Sequence, residues 1–409
     1  MMPDDDGFGP PWLARLFGGF MILCLGGGFV ALVLTGWRID WPDGDGDVLA
    51  GEWTGPYERA MDDGFATRDA AVTLWATIGW ALFHEGRYGV VVGRDDWLFT
   101  VEEFEQPPDA DAIVAEKRTQ VVAVQQRLAE AGVRLVVVLV PDKSRLYAEK
   151  LDGLARRPQH AGRYQAFRTA LLDAGIAAPD LLAPLAAARP ATATHMRTDT
   201  HWSPAGAMIV AEAVAAVVED LPDPPPSLHR ARFVTEVAAV AGHDGDLLRY
   251  LPLGGLRTVL LGDLEPLEQH RTRPAAGRGD LVDASGDGDL GSLLFDEVAI
   301  PAVLVGTSFS AMDEWNFDGA LKQALGMDVL NLADEGGGPM APMAAYLAGD
   351  ALRDSPPEIV IWEIPERYLP VDYDLPEDAF APAAPAPTAE PSAQTSAQTT
   401  ARPAAQPAD

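Results

Sequence analysis

The sequence predicts a three-layer α/β fold, with a parallel sheet covered by helices on both faces, and three observations carry that expectation. The run RLVVVLVP at 134–141 is too uniformly apolar for a strand with one wet face. Comparable runs recur at 257–261, 301–305, 328–332 and 358–364. Helical patterns separate several of them, notably 204–219 and 316–325, as expected where strands alternate with packed helices.

A chain of 409 residues that is 48% hydrophobic is long enough for a sizeable buried core. Its 30 Lys and Arg against 61 Asp and Glu leave a formal charge of -31, which repels a phosphate backbone, so nucleic acid is not an expected partner. An anionic polysaccharide would have to enter through a local basic groove or in screening salt. The charge mildly favours a neutral partner, although basic clusters at 143–157 and 271–278 are candidates to line an anionic groove. The single cysteine, Cys24, permits no internal disulfide, and seven histidines without an HExxH or close His/Cys pattern suggest no metal site.

Residues 16–37 read LFGGFMILCLGGGFVALVLTGW, 22 residues without a charge, which at about 1.5 Å per residue span about 30 Å. This run is expected to be a transmembrane signal-anchor. It exceeds the usual apolar region of a cleaved signal peptide, and no A-x-A site follows. The residues before Cys24 lack the small side chain that precedes a lipidated cysteine. Arg15 lies before the run while Arg38 and Arg59 lie after it, so flanking charge does not decide orientation.

After an acidic linker at 40–47, a helical stretch at 69–83 leads into YGVVVGRDDWLFT, which reads as a strand, a glycine turn and a second short strand. Residues 110–131 are expected to form a helix closed by Gly132. The section 221–289 mixes Pro, Gly, Asp and Arg with short apolar runs and reads as an insertion. The catalytic domain is therefore expected over 38–373. From 374 to 409 the chain is rich in Pro, Ala, Thr and Gln with little to bury, and is expected to be a disordered tail.

Two motifs carry chemistry. RTDTHWSP at 197–204 places Asp199 two residues before His201, on the same side of an extended segment, with Ser203 and Pro204 suited to the N-cap and first turn of a helix. Asp199 there can orient the His201 imidazole and stabilise its charged form. The same pattern also serves as a plain polar helix entry. PAVLVGTSFS at 301–310 is a buried strand ending in Gly306, Thr307 and Ser308, where open α/β sheets present ligands, and the amides after the glycine are candidate oxyanion donors. Ser308 or Ser310 as a helix cap explains it equally well. NLADEGGGP at 331–339 admits either close backbone approach to a ligand or a sharp turn. IWEIPERY ends the last strand in a charged and aromatic cluster, where Arg367 is either a substrate contact or an ion-pair partner.

The pieces VVVGRDDWLF, VPDKSRLY, RTDTHWSPAGA, LVGTSFS, NLADEGGGP and IWEIPERYL together resemble the alginate O-acetyltransferase family that includes AlgJ and AlgX. They fall in the family's order and cover most of residues 50–370. The resemblance implies an SGNH-hydrolase-like fold in which acid and base precede the nucleophile. It also implies the roles: Ser308 nucleophile, His201 base, Asp199 orienter. Thr307, Phe309, Trp315 and Arg367 are candidates for substrate contact. No cofactor is expected, because the resemblance implies an acetyl donor delivered across the inner membrane by a multi-spanning MBOAT-type acyltransferase. It further implies a polysaccharide acceptor and export machinery as partners, a cytoplasmic N-terminus at 1–15, a single-pass anchor and a periplasmic catalytic domain. Two departures stand out: Phe309 occupies a position where tyrosine is common, and the low-complexity tail stands in place of the carbohydrate-binding module of AlgX. An acetyl-esterase using the same residues, and a non-catalytic subunit that holds glycan, are the alternative readings.

Overall fold

The computed structural model describes residues 68–151, 158–275, 300–376 and 379–380, with isolated residues between 15 and 58. The apolar run 16–37 falls largely outside them, and among the described residues no helix is long and apolar enough to cross a membrane.

In chain order, helix α1 (Arg68–Ile78) runs into a π-turn at Gly79–Phe83 and is followed by the hairpin β1 (Val90–Val92) and β2 (Leu98–Thr100). Then come α2 (Ala110–Glu130), β3 (Arg134–Val140), α3 (Pro158–Asp173), α4 (Leu182–Ala188) and α5 (Pro204–Glu219). Next are β4 (Phe233–His243), the short α6 (Arg257–Leu261) and β5 (Glu265–Pro274). The last part holds β6 (Ala302–Val305), α7 (Ser308–Ala311), α8 (Phe317–Leu325), β7 (Val329–Asn331), α9 (Met340–Ala348) and β8 (Ile359–Pro365).

The central sheet has the order β3-β8-β6-β7, and every pairing is parallel. Its uniformly apolar strands follow from burial on both faces. Val136, Val138, Leu304 and Ile361 point into a core shared with α5 and α8. Val137, Leu139, Val305 and Trp362 point into the other, shared with α2, α3 and α9. Alternation along each strand thus fills two hydrophobic layers, the arrangement the apolar runs predicted. Phe380 packs into the second of these cores, so ordered packing extends seven residues past Tyr373. Most of the proposed tail, from 381 onward, lies outside the described residues.

One expectation is corrected. Residues 257–261 form a helix rather than a strand: Val259 is 81% exposed, so the apolar run is not buried on two faces, and Gly262 at φ +79° ends the turn. The section 221–289 contains, in its described part, an antiparallel ribbon of β4 and β5 that short apolar runs did not announce. Its outward side chains are exposed and mixed in character, so strand periodicity is faint. The ribbon is tied to the core at α8, where Thr235 N–H donates to Gln323 Oε1 (2.6 Å) and Asn316 Nδ2 donates to Thr272 Oγ1 (3.1 Å).

Candidate active site

The carboxyl ends of the parallel strands gather the polar residues. Gly306, Thr307 and Ser308 follow β6 directly, and Thr307 accepts from the Phe309 amide as N-cap of α7. The segment 197–203 leads into α5, with Ser203 capping the Gly206 amide and Pro204 in the first turn, as its sequence predicts.

These two motifs, 107 residues apart, meet. Asp199 Oδ1 accepts from His201 Nδ1 at 2.6 Å, and His201 Nε2 lies 2.7 Å from Ser308 Oγ. Because the carboxylate can only accept, Nδ1 carries its proton toward Asp199, leaving Nε2 as acceptor for the serine hydroxyl. Asp199 and His201 are buried, whereas Ser308 is partly exposed. Four donors converge on Asp199: His201 N–H (2.9 Å) and Nδ1 on one oxygen, His243 Nε2 (2.8 Å) and the Asp246 amide (2.9 Å) on the other. Burial alone would raise this carboxyl, but the hydrogen bonds from His201 and His243 hold it well below its ordinary 3.8. It is the ionised partner that an imidazolium at His201 needs.

The 197–201 segment belongs to no named strand: the Leu98 amide donates to the Arg197 carbonyl and the Met196 amide to the His201 carbonyl, and side chains meet most of its other backbone groups. Lys143, fully enclosed, donates from Nζ to the carbonyls of Leu98 (2.5 Å), Arg197 (3.0 Å) and Asp199 (2.8 Å). Burial pushes its ammonium down to about 8, against the pull of Glu103 and Asp199. Glu265 accepts from the amides of Arg197 and Thr198, and Asp246 accepts from Thr200 through both amide (2.8 Å) and hydroxyl (2.6 Å). Gly245 lies so close that a Cβ there would stand 2.2 Å from the Thr198 carbonyl oxygen.

Beneath Ser308 the buried Glu363 of β8 accepts from the Thr307 amide (2.7 Å), from the Thr307 hydroxyl (3.0 Å) and from the Ser310 hydroxyl (3.1 Å). Burial raises its carboxyl, while these hydrogen bonds oppose the shift. The Thr307 amide is therefore spent on Glu363 rather than turned into the crevice, which removes it from the candidate oxyanion donors.

Thr307, Phe309, Trp315 and Arg367 are all nearly fully buried and touch protein. Phe309 and Trp315 wall the imidazole, their ring centroids 4.7 Å and 5.3 Å from that of His201. Arg367 lies over the Phe309 ring at 5.1 Å and pairs with Glu102 at 3.1 Å. The basic cluster at 143–157 is no groove lining over its described part: Lys143 is enclosed, Arg145 is paired with Glu366, and Lys150 with Asp95. Arg271 is exposed on the ribbon.

One trio among the described residues, Asp199, His201 and Asp246, brings potential ligand atoms within 4.8 Å of one another. Those atoms are already committed: Asp199 to the imidazoles, both Asp246 oxygens to Thr200. The trio is a hydrogen-bond network, and a cation there would have to break the Asp199–His201 bond.

The sequence pattern does not announce Glu363, Glu265, Asp246 or His243, and it sets Lys143 in a basic cluster that is a candidate groove lining. Lys143 and Glu363 lie inside quoted motif pieces, which is the one signal that could have found them. His243 had none, being a lone histidine in a stretch without clear periodicity.

The family model described as "SGNH hydrolase-like domain, acetyltransferase AlgX" matches residues 90–366. The chain is 42% identical over 330 residues to a probable alginate O-acetylase AlgJ of Pseudomonas syringae pv. tomato, covering 81% of this chain and 82% of the relative. It is 41% identical over 357 residues to the probable alginate O-acetylase AlgJ of Pseudomonas aeruginosa, covering 85% and 89%. The solved O-acetyltransferase domain of Pseudomonas putida AlgJ superposes with a TM-score of 0.60 at 39% identity, covering 70% of this chain and 94% of that domain. With the motifs in order, the parallel sheet in place and similarity over four-fifths of its length, the chain belongs to the family of SGNH hydrolase-like acetyltransferases.

Proposed function

We propose that this protein O-acetylates an exported polysaccharide, alginate in the first instance, through an acetyl-serine intermediate on Ser308. The observation that carries the reading is the continuous hydrogen-bonded line from Asp199 through His201 to Ser308. His201 Nε2 takes the Ser308 Oγ proton as Oγ attacks the donor's acetyl carbonyl, and the same proton passes to the departing donor group. A sugar hydroxyl then gives its proton to His201 and attacks the acetyl-serine carbonyl, forming the sugar ester and restoring Ser308.

The relatives named as probable alginate O-acetylases support alginate as the acceptor. The net charge of -31 opposes a polyanion, a repulsion that salt would screen, while an exposed basic side chain such as Arg271 offers a local contact. Residues 16–37 would anchor the chain in the bacterial inner membrane, with 1–15 in the cytoplasm and the catalytic domain in the periplasm. A multi-spanning acyltransferase of the MBOAT type would deliver the acetyl group, without a cofactor held by this chain, and the export machinery would present the polymer.

The test is to incubate the full chain with an acetyl donor and oligosaccharides of alginate or of neutral sugars, following acetylated product by mass spectrometry. Acetylated alginate oligomers are expected. Acetate release without sugar ester would make the protein an esterase, acetylation of neutral sugars alone would replace the acceptor, and full turnover by Ser308→Ala would remove the serine from the mechanism.

A further inference from the structure

The ribbon β4–β5 ends, on the side facing the site, in the rung that pairs His243 with Glu265. Both members of that rung reach the Arg197–Asp199 stretch. Glu265 accepts the amides of Arg197 and Thr198. His243 donates to the oxygen of Asp199 that His201 does not use, while Trp315 supports both imidazoles, its ring centroid 5.3 Å from that of His201 and 5.4 Å from that of His243.

We infer that His243 is a positioning residue for the acetyl transfer, a second imidazole that, with the Asp246 amide, fixes the rotation of the Asp199 carboxylate so that its other oxygen faces His201. The inference rests on the reading of Asp199, His201 and Ser308 as the catalytic groups. The Asp246 amide holds the same oxygen, so His243 shares the grip: together the two donors keep the carboxylate from swinging about its Cβ–Cγ bond more firmly than the amide alone. The charged and titratable groups around His243 are Asp199 and His201 from the 197–203 segment, Glu265 across the rung, Asp246 three residues on, and Glu314 beside Trp315. The bond to Asp199 and this acidic surround raise His243 above its ordinary value, with burial opposing, which favours the donor form at Nε2.

The full chain, with p-nitrophenyl acetate as acetyl donor, gives kcat and KM for wild type, His243→Leu, His243→Gln and Ser308→Ala. Loss of the Asp199 bond in His243→Leu is expected to lower kcat by about 10- to 100-fold with KM within about 2-fold. His243→Gln keeps an N–H at the reach of Nε2 and should recover most of kcat. A leucine variant with wild-type kcat overturns the inference, as does a glutamine variant no better than leucine. If the leucine variant does not fold, His243→Asn, polar but too short to reach Asp199, takes its place with the same expectations. Turnover retained by Ser308→Ala would instead strike the underlying triad reading, so the two failures are distinguishable.

Discussion

The turn that carries Ser308 continues the central sheet, whereas the segment that carries Asp199 and His201 belongs to no named strand. Ser308 stands three residues beyond β6, a strand paired on both sides, and Asp334 N–H donates to the Gly306 carbonyl just before it. One buried side chain, Glu363, completes the support from below. Asp199 instead depends on Lys143 after β3, on Glu265 and His243 of the ribbon and on Asp246 beyond it. The Ser308 turn is placed mainly by the sheet backbone with Glu363 below it, whereas Asp199 and His201 are placed by long-range contacts, most of them from side chains. The acid–base side should therefore be the more fragile.

Lys143→Met is the severest test of that difference, since it leaves three buried carbonyls without their shared donor. A loss of about 3 kcal/mol is expected, read from urea denaturation, together with a fall in kcat that exceeds any change in KM. Glu363→Leu removes the acceptor beneath the nucleophile turn and strands the Thr307 amide and two hydroxyls, for an expected cost of about 2 kcal/mol by the same measurement. If Glu363→Leu proves costlier than Lys143→Met, the contrast between the two regions is broken.

Gly245→Ala sharpens the acid–base side further. The new methyl would meet the Thr198 carbonyl, and relief requires the backbone to move, at an expected cost of about 1–2 kcal/mol with a lowered thermal midpoint. The smallest effect is a pH drift. The Asp199 carboxyl is depressed in the folded state, so it contributes stability above its ordinary 3.8 and loses that contribution as pH falls toward the folded value. The stability gap between wild type and Asp199→Asn, measured by denaturation at neutral pH and near pH 3, should shrink at the acid end.

Much of the fold was legible because it rests on local patterns. The apolar runs at 134–140, 302–305 and 359–365 became β3, β6 and β8 because burial on two faces leaves a plain compositional mark. The run at 257–261 misled because five residues carry too little pattern to separate a strand from a helical turn half open to solvent. The ribbon escaped notice because an exposed hairpin needs no apolar alternation.

For the site, the sequence by itself determined the identities and immediate setting of Asp199, His201 and Ser308: a D-x-H at a helix entry and a serine past a glycine at the end of a buried strand. Only the tertiary structure decided that His201 reaches Ser308, that Lys143 is an internal strut rather than a surface charge, and that His243 shares Asp199. The physical reason is one of range. Capping, strand burial and turn formation act over a few residues and leave their mark in sequence spacing. The bonds that align the carboxylate, the imidazole and the hydroxyl join segments 44 to 107 residues apart, and only the packed sheet brings them together.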